Sequence, residues 1–142
     1  MTVDPFIHIP PAKALGIQLN RFEEGTAELV APFAKNVNDK GTAFAGSICS
    51  MLSLAGWAAI TLALREKGIE ADVLIVKSEI DYTAAARAAL FAEATVRPDK
   101  IARALRELAG RGRSRIDLHA KLHSDGIDCA AMAASYAIIH TG

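Results

Sequence analysis

The feature that most constrains this chain is a charge-free run over residues 46–64, followed at once by Arg65-Glu66-Lys67-Gly68. Residues 47–64 are apolar nearly all round a helical wheel, whereas a helix lying on a surface needs only one apolar stripe. Such a helix must be enclosed. The charged triplet and the glycine after it form an ordinary helix stop. At ~1.5 Å per residue the run nearly reaches across a hydrocarbon layer of ~30 Å. Ser47, Ser50, Ser53, Thr61 and many alanines lower its transfer energy, however, and its neighbours read as half-buried strands. The enclosure is therefore expected to be protein, with no membrane partner. Gly56 costs the helix about 1 kcal/mol against alanine, a choice that close approach by a sheet or a partner helix would explain.

The flanking segments supply the enclosure. Ile17 and Leu19, then Ala27, Leu29 and Ala31, alternate on either side of Glu23-Glu24-Gly25, which is a hairpin signal. Beyond the helix, Leu74, Val76, Ile80 and Tyr82 alternate with Lys77, Glu79 and Asp81. Leu90, Ala92, Ala94 and Val96 follow in the same rhythm. Ile116, Leu118, Ala120 and Leu122 alternate with charged residues and histidines, giving one dry and one wet face. Residues 127–139 return as an alanine-rich strand after Ser124-Asp125-Gly126. Residues 98–108 read as a short amphipathic helix with Ile101, Leu105 and Leu108 on one face, and a helical turn is expected after Pro10 and Pro11. The order is hairpin, buried helix, two strands, short helix, two strands. An α+β domain follows, its antiparallel sheet curled around one long helix.

All 142 residues fit one domain. The hydrophobic share is 51% but aromatics make up only 6%, so alanine fills much of the core, and a partner subunit could cover what small residues leave open. Sixteen basic residues balance sixteen acidic ones, so the phosphate-neutralising excess of a general nucleic-acid binder is missing. Cys49 and Cys129 lie in apolar surroundings without metal-ligand spacing and read as free thiols of a reducing compartment; with no leader-like N-terminus, a cytoplasmic location is expected. His119 and His123 share a strand face but stand about 13 Å apart at ~3.3 Å per residue, too far to share a metal ion.

The chemistry is expected where loop becomes helix, at Asn36-Val37-Asn38-Asp39-Lys40-Gly41-Thr42-Ala43-Phe44-Ala45-Gly46-Ser47. A helix N-terminus offers unsatisfied N–H groups and the positive end of the macrodipole. Such a site can hold a developing oxyanion at a thioester carbonyl. Gly46 would let a substrate approach the backbone, and Asn38 could donate a further hydrogen bond. The plainer alternative is that Asn38, Thr42 and Ser47 only cap turns and the helix.

The segment Asn38-x-x-Gly41-x-x-Phe44-Ala45-Gly46 before an apolar helix resembles the Asn-x-x-Gly-x-x-His-Gly-Gly loop of hot-dog acyl-CoA thioesterases. The fuller string Asn-x-Asn-x-x-Gly-Thr-Ala-Phe-x-Gly-Ser, with Ala55-Gly56-Trp57 later, more closely resembles the thioesterase-like YiiD C-terminal domain family, over about residues 9–139. The resemblance implies a hot-dog fold and hydrolysis of an acyl-CoA or acyl-carrier thioester. It also implies a pocket between subunits of a homodimer, or a tetramer of dimers, with the coenzyme A moiety entering as part of the substrate and no separate cofactor. Asn38 and Gly46 are then the catalytic candidates, with Ser53 and Asp39 as the groups that could position or activate water. Asn36, Thr42, Phe44, Ser47, Ser50, Trp57 and Tyr82 are the candidates for substrate contact.

Two departures matter. Phe44 stands where classical relatives place His, and Ala45 where they place Gly. The carboxylate they carry about two turns into the helix is also missing, since that neighbourhood reads Ser50-Met51-Leu52-Ser53-Leu54. A general base would have to come from Asp39 or Asp81, each of which also reads as surface charge. A second reading follows from this gap: a binding module that keeps the fold and lacks the base. In Gly110-Arg111-Gly112-Arg113-Ser114-Arg115, arginines among small residues could hold phosphates bidentately. The resemblance assigns Arg111 and Arg113 to the coenzyme A nucleotide; a solvated turn is the alternative.

Overall fold

A computed structural model describes residues 4–141. The elements run α1 (Pro10–Ala14), β1 (Gln18–Glu23), β2 (Thr26–Ala31), α2 (Ala45–Glu66), β3 (Ala71–Tyr82), β4 (Leu90–Thr95), α3 (Pro98–Arg111), β5 (Arg113–Ser124) and β6 (Ile127–His140). The strands form one antiparallel sheet in the order β1-β2-β4-β5-β6-β3. Its inner face curls around α2, which packs on β2, β3, β4, β5 and β6.

The sheet encloses most of α2, as its composition requires, and leaves one face half-buried. Met51, Leu52, Ala55, Ala58, Ala59, Ile60 and Leu64 lose essentially all contact with solvent. α2 is also the described helix that is long and apolar enough to cross a membrane, and 72% of its most apolar window is buried inside the protein. It ends as the sequence indicates: Gly68 adopts φ 74°, its N–H reaches the Arg65 carbonyl at 2.9 Å, and that of Ile69 reaches Leu64 at 3.0 Å.

Strand burial follows the alternation. Every second residue of β5 from Ser114 to Ser124 is buried, as are Leu90, Ala92 and Ala94 in β4. The β1–β2 turn places Glu24 and Gly25 at φ 49° and 79°, the left-handed pair a tight hairpin uses.

β3 departs from the expected rhythm. Its pairing with β6 slips between Ile75 and Lys77. A one-residue bulge exchanges the faces of a strand, so Val73 points inward before the bulge and Ile80 after it. Leu74 and Val76 are therefore 51% and 50% exposed, and the even-numbered apolar series read from the sequence holds only beyond the bulge.

α3 runs one turn further than expected, to Arg111. It covers an edge the sequence does not reveal. β4 pairs with β5 only from Ala120 to His123, so the first half of β5 has no strand on that side. There Lys100 donates to the Asp117 carbonyl, and Arg103 to the Arg115 carbonyl at 2.8 Å. At the other margin β3 carries no such cover among the described residues.

Candidate functional site at the start of the central helix

The loop before α2 is a closed turn organised by Asn38. Its Oδ1 accepts the N–H groups of Lys40 (2.8 Å) and Thr42 (3.1 Å), and its Nδ2 donates to the Thr42 hydroxyl (2.9 Å) and the Ala43 carbonyl (3.3 Å). The side chain is thus spent inside its own loop. Asn36 is buried and holds the other end: Nδ2 donates to the carbonyls of Leu15 (2.9 Å) and Pro32 (2.8 Å), and its own carbonyl accepts the Phe44 N–H at 2.7 Å. Its Oδ1 is buried with no partner among the described residues. Gly41 turns at φ 77°.

α2 starts without a side-chain cap. Its first bonded amides are those of Ser47 and Ile48, both on the Phe44 carbonyl at 3.0 and 3.2 Å. The N–H groups of Ala45 and Gly46 have no acceptor among the described residues, as the geometry of a helix start dictates. The Phe44 ring lies in the space a β-carbon on Gly46 would occupy, and is itself 55% exposed. Gly46 therefore accommodates the neighbouring ring as well as bringing the backbone to the surface.

Beside this terminus is a cleft of about 350 Å³, lined by Ala43, Ala45, Ile48, Tyr82 and the loop from Thr83 to Ala86. The loop is pinned three times. Ala43 N–H bonds the Ala86 carbonyl at 2.9 Å, Thr83 N–H the Cys129 carbonyl at 2.8 Å, and the Ser124 hydroxyl both accepts from Ala88 N–H (3.1 Å) and donates to the Ala88 carbonyl (3.0 Å). Tyr82 and Thr83 bring the polar side chains of a wall that is otherwise alanine and isoleucine. Partial burial, and then the nearby Cys49, push the Tyr82 phenol above its ordinary value.

Of the serines on α2, Ser47 is buried, while Ser50 and Ser53 are half-buried on the face the sheet leaves uncovered, together with Cys49, Leu54 and Trp57. The Ser53 carbonyl accepts the Tyr136 hydroxyl at 2.7 Å. Trp57 stacks at a tilt on Phe6, with centroids 6.1 Å apart. Asp39 is solvated and paired with Lys40 at 3.4 Å. Asp81, offered as a base by the sequence, is corrected by the pleat: it lies on the outer face of the sheet beside Glu79, across from α2.

Arg111 and Arg113 are not brought to this cleft within one chain. Arg113 pairs with Ile139, which pairs with Asp72, whereas Tyr82 is ten residues further along β3. At ~3.3 Å per residue that separation is about 30 Å. The arginines do not sit in an open turn either. Arg111 ends α3 and reaches Glu107 at 3.4 Å, and the N–H of Gly112 is used by the Leu108 carbonyl. Sequence reading missed the alanine loop after Tyr82, which carries no motif.

A curved antiparallel sheet wrapped on one long helix, with a cleft beside the loop-to-helix junction, is the hot-dog class of the thioesterases. Among solved structures, a Chlorobaculum tepidum protein of unknown function superposes with a TM-score of 0.89 at 24% identity, covering 94% of this chain and 88% of that one. A Shewanella oneidensis protein matches with a TM-score of 0.79 at 26% identity, over 92% and 88%. A Pseudomonas aeruginosa protein, named a probable thioesterase, gives 0.81 at 21%, over 95% and 90%. Residues 6–140 match the YiiD C-terminal family, and this chain belongs to it. That family is described as "putative thioesterase", the words that also name the Shewanella protein.

Proposed function

We propose that the protein hydrolyses an acyl thioester as a homodimer, with the acyl group in the cleft beside the start of α2. The observation that carries this reading is the placement of two acceptor-free N–H groups at the start of α2, that of Ala45 in the wall of the cleft and that of Gly46 next along the chain. N–H groups held in place at a helix start stabilise the negative oxygen that forms when water adds to the carbonyl. The thiolate then leaves with the proton of the attacking water. Asn38 acts as a positioning residue, holding the loop that presents these amides. The Tyr82 phenol, on the cleft wall beside Thr83, and the Ser53 hydroxyl, half-buried further along α2, serve to orient water.

Dimerisation rests on β3. Its edge is unpaired among the described residues and displays Leu74, Ile75, Val76 and Tyr82 to solvent, a hazard that symmetric pairing removes. Antiparallel pairing about a two-fold axis near Lys77 reverses the strand. It carries the partner subunit's Arg111 and Arg113 toward the end where Tyr82 and the cleft lie, where they grip the phosphates of the thioester carrier. The test is thiol release from acyl-CoAs of short, medium, long and aromatic acyl groups. Turnover that depends on acyl class supports the reading; a folded dimer that releases no thiol from any of them sinks it.

One observation favours a second reading. α2 has no carboxylate before Glu66, at the end remote from the cleft. A binding module for acyl thioesters needs no base. Saturable binding of a non-hydrolysable thioether analogue without turnover of the thioester would establish that reading instead.

A further inference from the structure

The loop after Tyr82 has a composition that its position does not explain. Exposed loops draw on Gly, Pro, Asn, Asp and Ser, which serve turns through backbone freedom or local hydrogen bonds. Ala84 and Ala85 do neither, and both are exposed. In the core, alanine lets the sheet approach α2 closely; on this loop the two methyl groups line the cleft instead. Ala43 and Ala45 line it from the side of α2. Each wall is thus held to one carbon per side chain at these positions, and the cleft is about as wide as the two backbones allow.

It is wide but not deep. Ala43, Ile48 and Ala86 are buried and make its floor, which the Ala43 N–H closes on the Ala86 carbonyl at 2.9 Å. No chain threads through that bond. From Thr83 to Ala86 the wall spans at most about 10 Å, at ~3.3 Å per residue. The volume of about 350 Å³ stands near the lower end of ligand clefts, which run from about 300 to 1,000 Å³. The wall is also fixed in place. The Cys129 carbonyl holds the Thr83 N–H at 2.8 Å, and the Ser124 hydroxyl holds that of Ala88 at 3.1 Å.

We infer that Ala84 and Ala85 determine the specificity of the cleft, and that they select a short, broad acyl group, branched or aromatic, over a linear chain. The inference rests on the reading of this cleft as the acyl site. A branched or ring-shaped group reaches both methyl walls at once, and each further methylene buried there contributes about 4-fold in affinity. A linear chain of the same carbon count leaves gaps along the walls, and a gap too small for water forfeits contact without compensation. Beyond the floor, added carbons of a linear chain gain nothing.

The experiment is calorimetric titration of the full chain with non-hydrolysable coenzyme A thioethers carrying butyl, isobutyl, benzyl and octyl groups. Thiol release from the matching butanoyl, isobutyryl, benzoyl and octanoyl thioesters is measured beside it. Isobutyl and benzyl are expected to bind more tightly than butyl and octyl. The double variant Ala84→Leu, Ala85→Leu, verified as folded by circular dichroism, is expected to lose at least about 10-fold in affinity for isobutyl and benzyl, the scale on which apolar pockets discriminate. A wild-type preference for butyl and octyl, or a double variant that keeps the wild-type order, overturns the inference. Absence of binding by any thioether overturns it together with the reading beneath it. Selective binding without thiol release sinks hydrolysis alone, whereas release that ignores acyl shape sinks this inference alone. The wild-type series decides the matter even where the double variant does not fold.

Discussion

The ring of Tyr136 on β6 fills the space beside Gly56 on α2, and its hydroxyl donates to the Ser53 carbonyl one turn earlier at 2.7 Å. A β-carbon on Gly56 would collide with the phenol. Gly56→Ala improves helix propensity by about 1 kcal/mol, yet it forces either the ring or the helix to move, which costs about 1–3 kcal/mol in a packed core. The collision wins. Urea unfolding is expected to show Gly56→Ala to be net destabilised, and a stabilised variant would show that the ring yields freely.

The same tyrosine gives a pH prediction. Burial is the main cause that pushes its phenol well above the ordinary value of 10.0. A group whose folded pKa is raised contributes stability that is complete below the unfolded pKa and lost as pH rises beyond it. Stability is therefore expected to fall above about pH 10, and Tyr136→Phe to flatten that loss while removing about 1 kcal/mol at neutral pH. An equal alkaline loss in both proteins would assign it to other groups.

Glu107 behaves in the opposite sense. The Ser114 hydroxyl above all, helped by Arg111, Arg103 and Arg106, holds its carboxyl below the usual range, against an opposing effect of desolvation that is second only to the Ser114 hydrogen bond. Its contribution is present above the unfolded pKa and lost as pH falls through the folded one. Glu107→Gln is expected to reduce the acid sensitivity of the melting temperature below pH 4.5, the ordinary value. A melting curve against pH that matches wild type would remove Glu107 from the account.

The Asn38 side chain makes four hydrogen bonds within its loop. Asn38→Ala is expected to cost roughly 1–3 kcal/mol and to speed amide exchange at Thr42 and its neighbours. Under the proposed function it lowers kcat more than it raises KM, since the loop presents the amides at Ala45 and Gly46. Unchanged exchange in the variant would separate Asn38 from loop order.

What could be read in advance was what local physics decides. The alternation of Arg113–Ser124 and the all-round apolar α2 left little choice of structure, and Gly56 signalled a close approach whose partner is now identified as Tyr136. The loop was legible through Asn38, Gly41 and Gly46, although the exposed Phe44 ring over Gly46 was not. The β3 bulge left no mark, because Leu74, Ile75 and Val76 are all apolar and fit either register. The loop after Tyr82 is nearly pure alanine, so its wall of the cleft arises from tertiary pins at Thr83, Ala86 and Ala88. The separation of Arg111 and Arg113 from the cleft is a consequence of strand order that chain proximity cannot reveal.

The proposed thioester cleft, completed across two subunits, can be tested in mixed dimers. One variant carries Arg111→Ala and Arg113→Ala; the other carries Gly46→Val, which displaces the Phe44 ring and blocks the helix start. Each alone is expected to release thiol at least about 100-fold more slowly than wild type. Equal mixing after reversible dissociation makes half the dimers hybrids, each with one intact site, and restores about a quarter of the wild-type rate. A mixture no faster than its parents would contradict the shared site.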